Sequence, residues 1–277
     1  MPAHDVVAVA REPGRWSART ARRLVVTWQH PVDRNIEPVG FLDYDGQHYM
    51  FGYIRHVLSV KDFRPLLGFR DLYRAYSSEE LFPLFAQRVM DPRRPDYQRY
   101  VERLGLDEEA SPWEQITRSQ GRRQGDTIQL LPQPTTDGET LTYVFLVNGV
   151  RHVPDGPLVL DGRQVEVTRE QVEAALDGVR PGDALRLAQE PGNKANPLAL
   201  MVMAPAAVPV GWVPNLMVED MHRLMALADV SVTAAHVNGP DAPWHLRLLV
   251  RLVAHGAGDF RFFTGEQWDL LGRLADQ

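Results

Sequence analysis

The sequence predicts an α+β protein made of two modules, each with several strands and at least one helix. Alternating apolar residues on both sides of Asp45-Gly46 predict a β-hairpin early in the chain. Ser111-Pro112 has the serine and proline order with which helices commonly begin. A polar stretch at 135–139 separates these elements from a second group of strands and helices. These observations favour short sheets packed with a few helices.

The composition is that of an ordinary globular protein. The chain has 277 residues, of which 44% are hydrophobic and 24% charged, enough for two modest cores or one large core. It has no cysteine, which excludes disulfides, thiolate metal sites and a cysteine nucleophile. Neither a secretory signal nor a membrane-spanning apolar run is recognisable, so we expect a cytoplasmic location and no membrane partner. The net charge of -6 argues against tight duplex binding, which usually needs a basic domain.

Three segments are predicted along the chain. Residues 1–23 carry five arginines among small and polar residues, and they lack the apolar period of a buried element, so we expect a flexible arginine-rich tail. Residues 24–139 form the predicted first module, a small sheet with helices. Residues 140–277 form the predicted second module, which is richer in strands.

The strands of the first module are predicted from apolar runs. Residues 24–31 (LVVTWQHP) read as a strand closed by proline, and residues 125–134 (GDTIQLLPQP) as another. Between them, Asp45-Gly46 supplies the positive backbone angles of a type I′ turn.

The helices of the first module are predicted from their start signals. Ser77 or Ser78 is placed to cap a short helix whose buried side is residues 81–85. Two further helices are predicted to begin at Pro95 and at Ser111.

The second module alternates short strands with two helices. The helices are predicted over residues 169–179 (REQVEAALDGV) and 215–228 (NLMVEDMHRLMALA). The strands are predicted over 140–149, 184–191, 196–205, 208–214, 230–237 and 244–255.

The first module resembles the small N-terminal subdomain that precedes the kinase core in HipA-type proteins. The resemblance covers about residues 24–130 and rests on Val39-Gly40, Tyr49 to Tyr53, Pro65-Leu66 and Leu81 to Phe85. The glycine-rich phosphate loop and the catalytic aspartate motifs of a phosphotransferase are not recognisable in the sequence. The resemblance therefore implies a packing or partner-binding role without phosphoryl transfer.

The second module resembles a HIRAN domain over about residues 141–265. Four elements follow one another in the family's order: GVRH at 149–152, LRLAQEPGNKANPLALMV at 185–202, VGWVP at 210–214, and the helix after it. The resemblance implies an OB-like β-barrel with one or two helices. It also implies binding of single-stranded DNA at its 3′ end, because OB-type sheets can carry both stacking rings and phosphate donors.

The resemblance assigns candidate binding roles to individual side chains. It makes Arg151 a phosphate contact, His152 a weaker stacking ring than tyrosine, and Trp212 a stacking platform that we expect to share one cleft with Arg151. Three further candidates lie in the EPGNKAN stretch. The complete set of candidate nucleic-acid-binding residues is Arg151, His152, Asn193, Lys194, Asn196 and Trp212.

This sequence departs from the pattern of the DNA-binding members at several positions. Ala195 and Asn196 stand where those members carry tyrosine and aspartate, Leu198 replaces a residue that is often polar, and Asn215 a residue that is often lysine. These departures put binding of a free DNA end in question.

Simpler structural roles compete with two of the binding roles. A tryptophan in an apolar run is more often buried than ligand-binding, which applies to Trp212. Asn193 suits a turn, because asparagine bonds the local backbone. The GRRQG stretch at 121–125 is most simply a solvated turn, although its arginines could contact an anion.

Together these observations predict a non-enzymatic nucleic-acid-binding protein that needs no metal or cofactor. The nine histidines form no metal-ligand pattern, and no nucleophile-elbow sequence is present. The alternative hypothesis is a protein-interaction module of an antitoxin-like kind in a toxin–antitoxin or defence system. It rests on the acidic balance and on the altered positions of the second module.

Overall fold

The computed structural model describes residues 22–123 and 125–272. It is a mixed α+β structure with several small antiparallel sheets, which confirms the predicted fold class. The elements up to residue 132 are β1 (Arg23–Gln29), β2 (Ile36–Tyr44), β3 (Tyr49–Tyr53), β4 (Tyr76–Ser78), α1 (Pro83–Ala86), α2 (Tyr97–Arg103), α3 (Pro112–Ser119) and β5 (Ile128–Pro132). The later ones are β6 (Thr135–Asp137), β7 (Thr140–Leu146), β8 (Leu158–Leu160), β9 (Arg163–Val165), α4 (Arg169–Gly178), β10 (Arg186–Gln189), β11 (Leu200–Met203), β12 (Pro209–Trp212), α5 (Val218–Leu227), β13 (Asp229–Val237) and β14 (Leu248–His255).

The first sheet has the strand order β4-β3-β2-β1-β5, and every pair in it is antiparallel. The predicted hairpin is confirmed, with Tyr44 opposite Tyr49. Its turn differs from the predicted two-residue type I′ turn, because four residues separate the strands. The side chain of Asp45 explains the longer turn: its Oδ1 accepts the backbone N–H groups of Gln47 (2.8 Å) and His48 (2.7 Å).

The helix start at Ser111 is confirmed in atomic detail. The Ser111 Oγ accepts the backbone N–H of Glu114 at 3.2 Å, and the Glu114 carboxylate accepts the backbone N–H of Ser111 at 2.9 Å. This reciprocal pair satisfies two N–H groups that the helix leaves unbonded. The predicted cap at Ser77 or Ser78 is wrong: both residues pair with β3 as part of β4, and the helix that follows begins at Pro83.

The strands of the second module lie in a four-stranded sheet, β13-β14-β7-β6, and a three-stranded sheet, β10-β11-β12. No sheet of the described residues closes into a barrel through continuous ladders. Two isolated bridges join the edges instead: Asn148 pairs with Trp212 beyond the end of β7, and Ala184 pairs with Thr233 ahead of β10. Strands β13, β14, β7, β12, β11 and β10 are thereby connected in a ring. At two points in this ring, a single bridge replaces a continuous ladder. Residues 135–137, expected as a break, pair with β7 as β6.

One large hydrophobic cluster crosses the predicted module boundary. Val25, Phe41, Ile54 and Leu131 of the first module belong to the same cluster as the buried strands and helices of the second. The last described residues return to the first module, where Leu270 bridges Ile54. Burial of apolar surface on both sides therefore holds the two halves together.

Most of the predicted arginine-rich tail lies outside the described residues. Of its 23 positions only Arg22 and Arg23 are described, and Arg23 begins β1 and forms an ion pair with Asp43. Among the described helices, none combines the length and the apolar character that crossing a bilayer requires.

Candidate nucleic-acid interface

A charged concave surface lies between the two halves of the chain and encloses about 540 Å³. Its walls come from three segments: the turn between α3 and β5, the 3₁₀ helix at 150–155, and the 3₁₀ helix at 244–246. We name it the arginine cleft, after residues Arg122, Arg123, Arg151, His152, Trp244 and His245.

The end of α3 positions Arg122. Gln120 and Gly121 both adopt positive φ angles, 55° and 57°, which reverse the chain directly after the helix. A side chain at Gly121 would meet Leu130 Cδ1 at 2.7 Å, so glycine is required there both for its backbone freedom and for the close approach. The reversal brings Arg122 to the cleft wall.

The positive charge of this cleft is not balanced locally. Among the described residues, no carboxylate lies within the 4.0 Å ion-pair distance of Arg122, Arg123 or Arg151. The one carboxylate of the lining, Asp126, pairs with Arg88 and accepts the backbone N–H of Ile128. The cleft therefore presents three guanidinium groups against a carboxylate that is already engaged.

One nitrogen of the Arg122 guanidinium makes no hydrogen bond among the described residues. One terminal nitrogen donates to Asn148 Oδ1 at 2.6 Å, but its Nε is buried without a hydrogen-bond partner. Burial lowers the pKa of Arg122. This guanidinium therefore lacks, among the described residues, the anionic partner that a buried cation normally has.

His152 orients Arg151. Arg151 Nε donates to His152 Nε2 at 2.9 Å, and His152 Nδ1 lies 2.7 Å from Asp155 Oδ2. This pair of contacts requires the neutral tautomer with its proton on Nδ1, because Nε2 must accept. Both side chains are exposed, and the terminal nitrogens of Arg151 remain available at the mouth of the cleft.

Trp244 and His245 also line the arginine cleft. The guanidinium groups of Arg169 and Arg247 lie 5.6 and 5.5 Å from the Trp244 ring centroid, within cation–π distance. Burial, and after it the charge of Arg122, lower the pKa of His245 to about 4. The His245 ring is therefore neutral near pH 7 and adds hydrogen-bonding capacity without charge.

Trp212 borders the arginine cleft but is not among the residues that line it. The Trp212 ring packs against Gly149, and its Nε1 donates to Glu190 Oε2 at 2.5 Å. Glu190 is buried and also accepts from Asn193 Nδ2 at 2.8 Å. The expectation that Arg151 and Trp212 line one cleft is therefore wrong, because the indole is tied to a buried carboxylate.

Asn193 and its neighbours organise a loop. Its Oδ1 accepts the backbone N–H groups of Ala195 and Asn196 at 2.9 and 3.2 Å, the turn-forming role that was the simpler reading. Lys194 is exposed in this loop and lines neither cleft described here. Asn196 bonds Asn215 at 2.5 Å and belongs to a second cleft.

This second cleft encloses about 410 Å³. Amide side chains dominate its polar lining, and we name it the amide cleft, after residues Gln129, Asn148, Asn196, Asn215, Gln267 and Trp268. Within residues 22–123 and 125–272, no group of three or more histidine or carboxylate side chains is placed to hold a metal ion.

Sequence reasoning found only part of this surface. It identified Arg151 and His152, but it treated Arg122 and Arg123 as a solvated turn. Two adjacent arginines between glycines were the available signal. No local pattern distinguishes Trp244 and His245, because their role depends on which segments they face.

Comparison with known proteins yields two loose structural likenesses. No family model and no curated protein matches the chain. The HIRAN domain of human HLTF overlaps 42% of this chain and 75% of its own length, with 13% identity and a TM-score of 0.29. A protein from Lactobacillus plantarum overlaps 40% of this chain and 92% of its own, with 20% identity and a TM-score of 0.29. Neither likeness supports the HipA-type resemblance, which stays a prediction.

Proposed function

We propose that this protein binds single-stranded nucleic acid, without catalysis, through the arginine cleft. The observation that supports the proposal is the group of three arginines without a carboxylate partner among the described residues, one of them with a buried and unbonded Nε. Guanidinium groups match phosphate oxygens in geometry and charge. A chain of phosphates would supply the missing anions at several points of the cleft.

A single strand suits the cleft better than a duplex. The protein carries a net charge of -6, and duplex binding usually involves a broad basic face. A flexible strand can bend into a local basic cleft and place its bases against rings such as Trp244. The pairing of Arg151 with His152 leaves the guanidinium free to reach a phosphate.

Fluorescence anisotropy with a labelled strand of about ten nucleotides tests the proposal. We expect Arg122→Gln and Arg151→Gln each to weaken binding about tenfold, the loss of one charge-assisted contact. The matched control is Arg186→Gln, since Arg186 is exposed on β10 and paired with Asp161. It should change the dissociation constant less than twofold.

The salt dependence gives a second readout. Three phosphate contacts predict a slope of log K against log salt of about -2 for a single strand, and Arg151→Gln should reduce its magnitude by about 0.7. Blocking the 3′ hydroxyl of the strand should leave the affinity unchanged, because Ala195 and Asn196 replace the tyrosine and aspartate of the 3′-end pocket. Absence of binding by the intact protein at low salt would overturn the proposal.

A further inference from the structure

The amide cleft adjoins the arginine cleft. Gln129 of β5 lines both. Arg122, in the first cleft, donates to Asn148, which lines the second. A strand held by the arginines therefore has a polar depression directly beside its phosphates.

The charge of the amide cleft differs from that of its neighbour. Arg223 is paired with Asp220 at 2.6 Å, and Asp220 also accepts the backbone N–H of Phe263 at 2.8 Å. Glu219 adds a further exposed carboxylate to the lining. This balance disfavours a phosphate and favours an uncharged group.

Several polar side chains that line the amide cleft are accessible to solvent: Thr264 and Gln267 are exposed, and Gln129 is half-buried. Within the described part of the chain, the side chains of Gln129, Thr264 and Gln267 make no hydrogen bond to another residue, and all three line the cleft. The half-buried ring of Trp268 lies beside Gln267 in the same lining. Each amide offers an adjacent donor and acceptor, which is the pattern presented by the edge of a nucleobase.

We propose that the amide cleft binds a nucleobase of the strand whose phosphates occupy the arginine cleft. This inference rests on the proposed function and assigns the second cleft to the same ligand. Adenine is the best match, because an amide oxygen accepts from its exocyclic amino group while the amide nitrogen donates to a ring nitrogen. The arginines would hold any strand, and the amide cleft would prefer one with a base at that position.

Two strands of equal length test the inference by anisotropy: an oligodeoxyadenylate and an abasic strand with the same phosphates. We expect the intact protein to bind the adenylate about tenfold more tightly, the discrimination of one good base contact. Gln267→Ala should weaken adenylate binding about fivefold and abasic binding less than twofold. Gln164→Ala, an exposed glutamine on β9 that bonds Glu166, is the matched control and should change neither.

The outcomes separate the two proposals. If the intact protein binds both strands equally and Gln267→Ala has no effect, while Arg122→Gln still weakens both, the amide cleft does not bind a base and the arginine cleft retains its assignment. If the intact protein binds neither strand, the proposed function falls and this inference falls with it. Weakening of both strands by Gln267→Ala to the same extent would also overturn the base assignment.

Discussion

Gly149 determines how Arg151 is presented. Its φ of 68° begins the 3₁₀ helix at 150–155, a conformation that glycine adopts without strain. A Cβ at this position would lie 2.6 Å from Cε3 of Trp212. The missing side chain therefore lets the indole pack against the backbone at the point where the two sheets meet, next to the arginine cleft.

Gly149→Ala should lower the free energy of unfolding by about 2 kcal/mol, because it adds overpacking against a ring to an unfavourable backbone angle. Urea denaturation followed by circular dichroism measures the change. Gly156→Ala is the matched control: its φ of 172° is extended and nothing lies within 4 Å of the added carbon. Equal stability of the two variants would contradict this account of Gly149.

At the scale of elements, α3 positions Arg122 in the arginine cleft, and both ends of the helix contribute. Its first turn is closed by the reciprocal bonds of Ser111 and Glu114. Its last turn leads into the reversal at Gln120 that delivers Arg122. A helix of eight residues has little stability of its own, so its cap and its packed residues together hold the arginine in place.

Ser111→Ala should cost about 1 kcal/mol of the free energy of unfolding, because it leaves backbone N–H groups of the first turn unbonded. Thermal denaturation checks the value. Ser231→Ala, a substitution on the exposed side of β13 with only a 3.4 Å bond to Val253, should change stability by less than about 0.5 kcal/mol. A cost at Ser111 no larger than the cost at Ser231 would show that the cap contributes nothing.

At the scale of the whole molecule, one hydrophobic cluster contains residues of both halves, and we expect the two halves to unfold together. Phe41 of the first sheet is buried and stacks on Trp268, with ring centroids 6.0 Å apart. Both residues contribute to the cluster that contains the strands of the second half. Loss of packing in one half of this cluster should therefore lower the stability of the other half as well.

Phe41→Ala should lower the free energy of unfolding by about 3 kcal/mol, and hydrogen exchange should register the same loss at amides of β14 as at amides of β2. The reason is that Phe41 belongs to the cluster that both halves share, so its loss removes packing from each of them. Leu58→Ala, at a side chain that is 52% exposed, serves as the control and should leave both sets of amides unchanged. Protection of β14 that is independent of Phe41 would mean two separate folding units.

The sequence by itself determined the local structure where the stabilising hydrogen bonds join residues close together in the chain. The hairpin at Asp45-Gly46 and the cap at Ser111 depend on bonds between near neighbours, and their positions could be predicted. The cap expected at Ser77 failed because pairing with a distant strand competed for the same residues.

Only the tertiary structure decided where the arginine cleft lies. Arg122, Arg151 and Trp244 come from three separate segments, and strand pairing and the shared core bring them to one cleft. The same packing leaves Trp212 outside the lining of that cleft, with its indole Nε1 donating to the buried Glu190. Such convergence depends on contacts between residues far apart in the chain, about which local periodicity and turn chemistry carry no information.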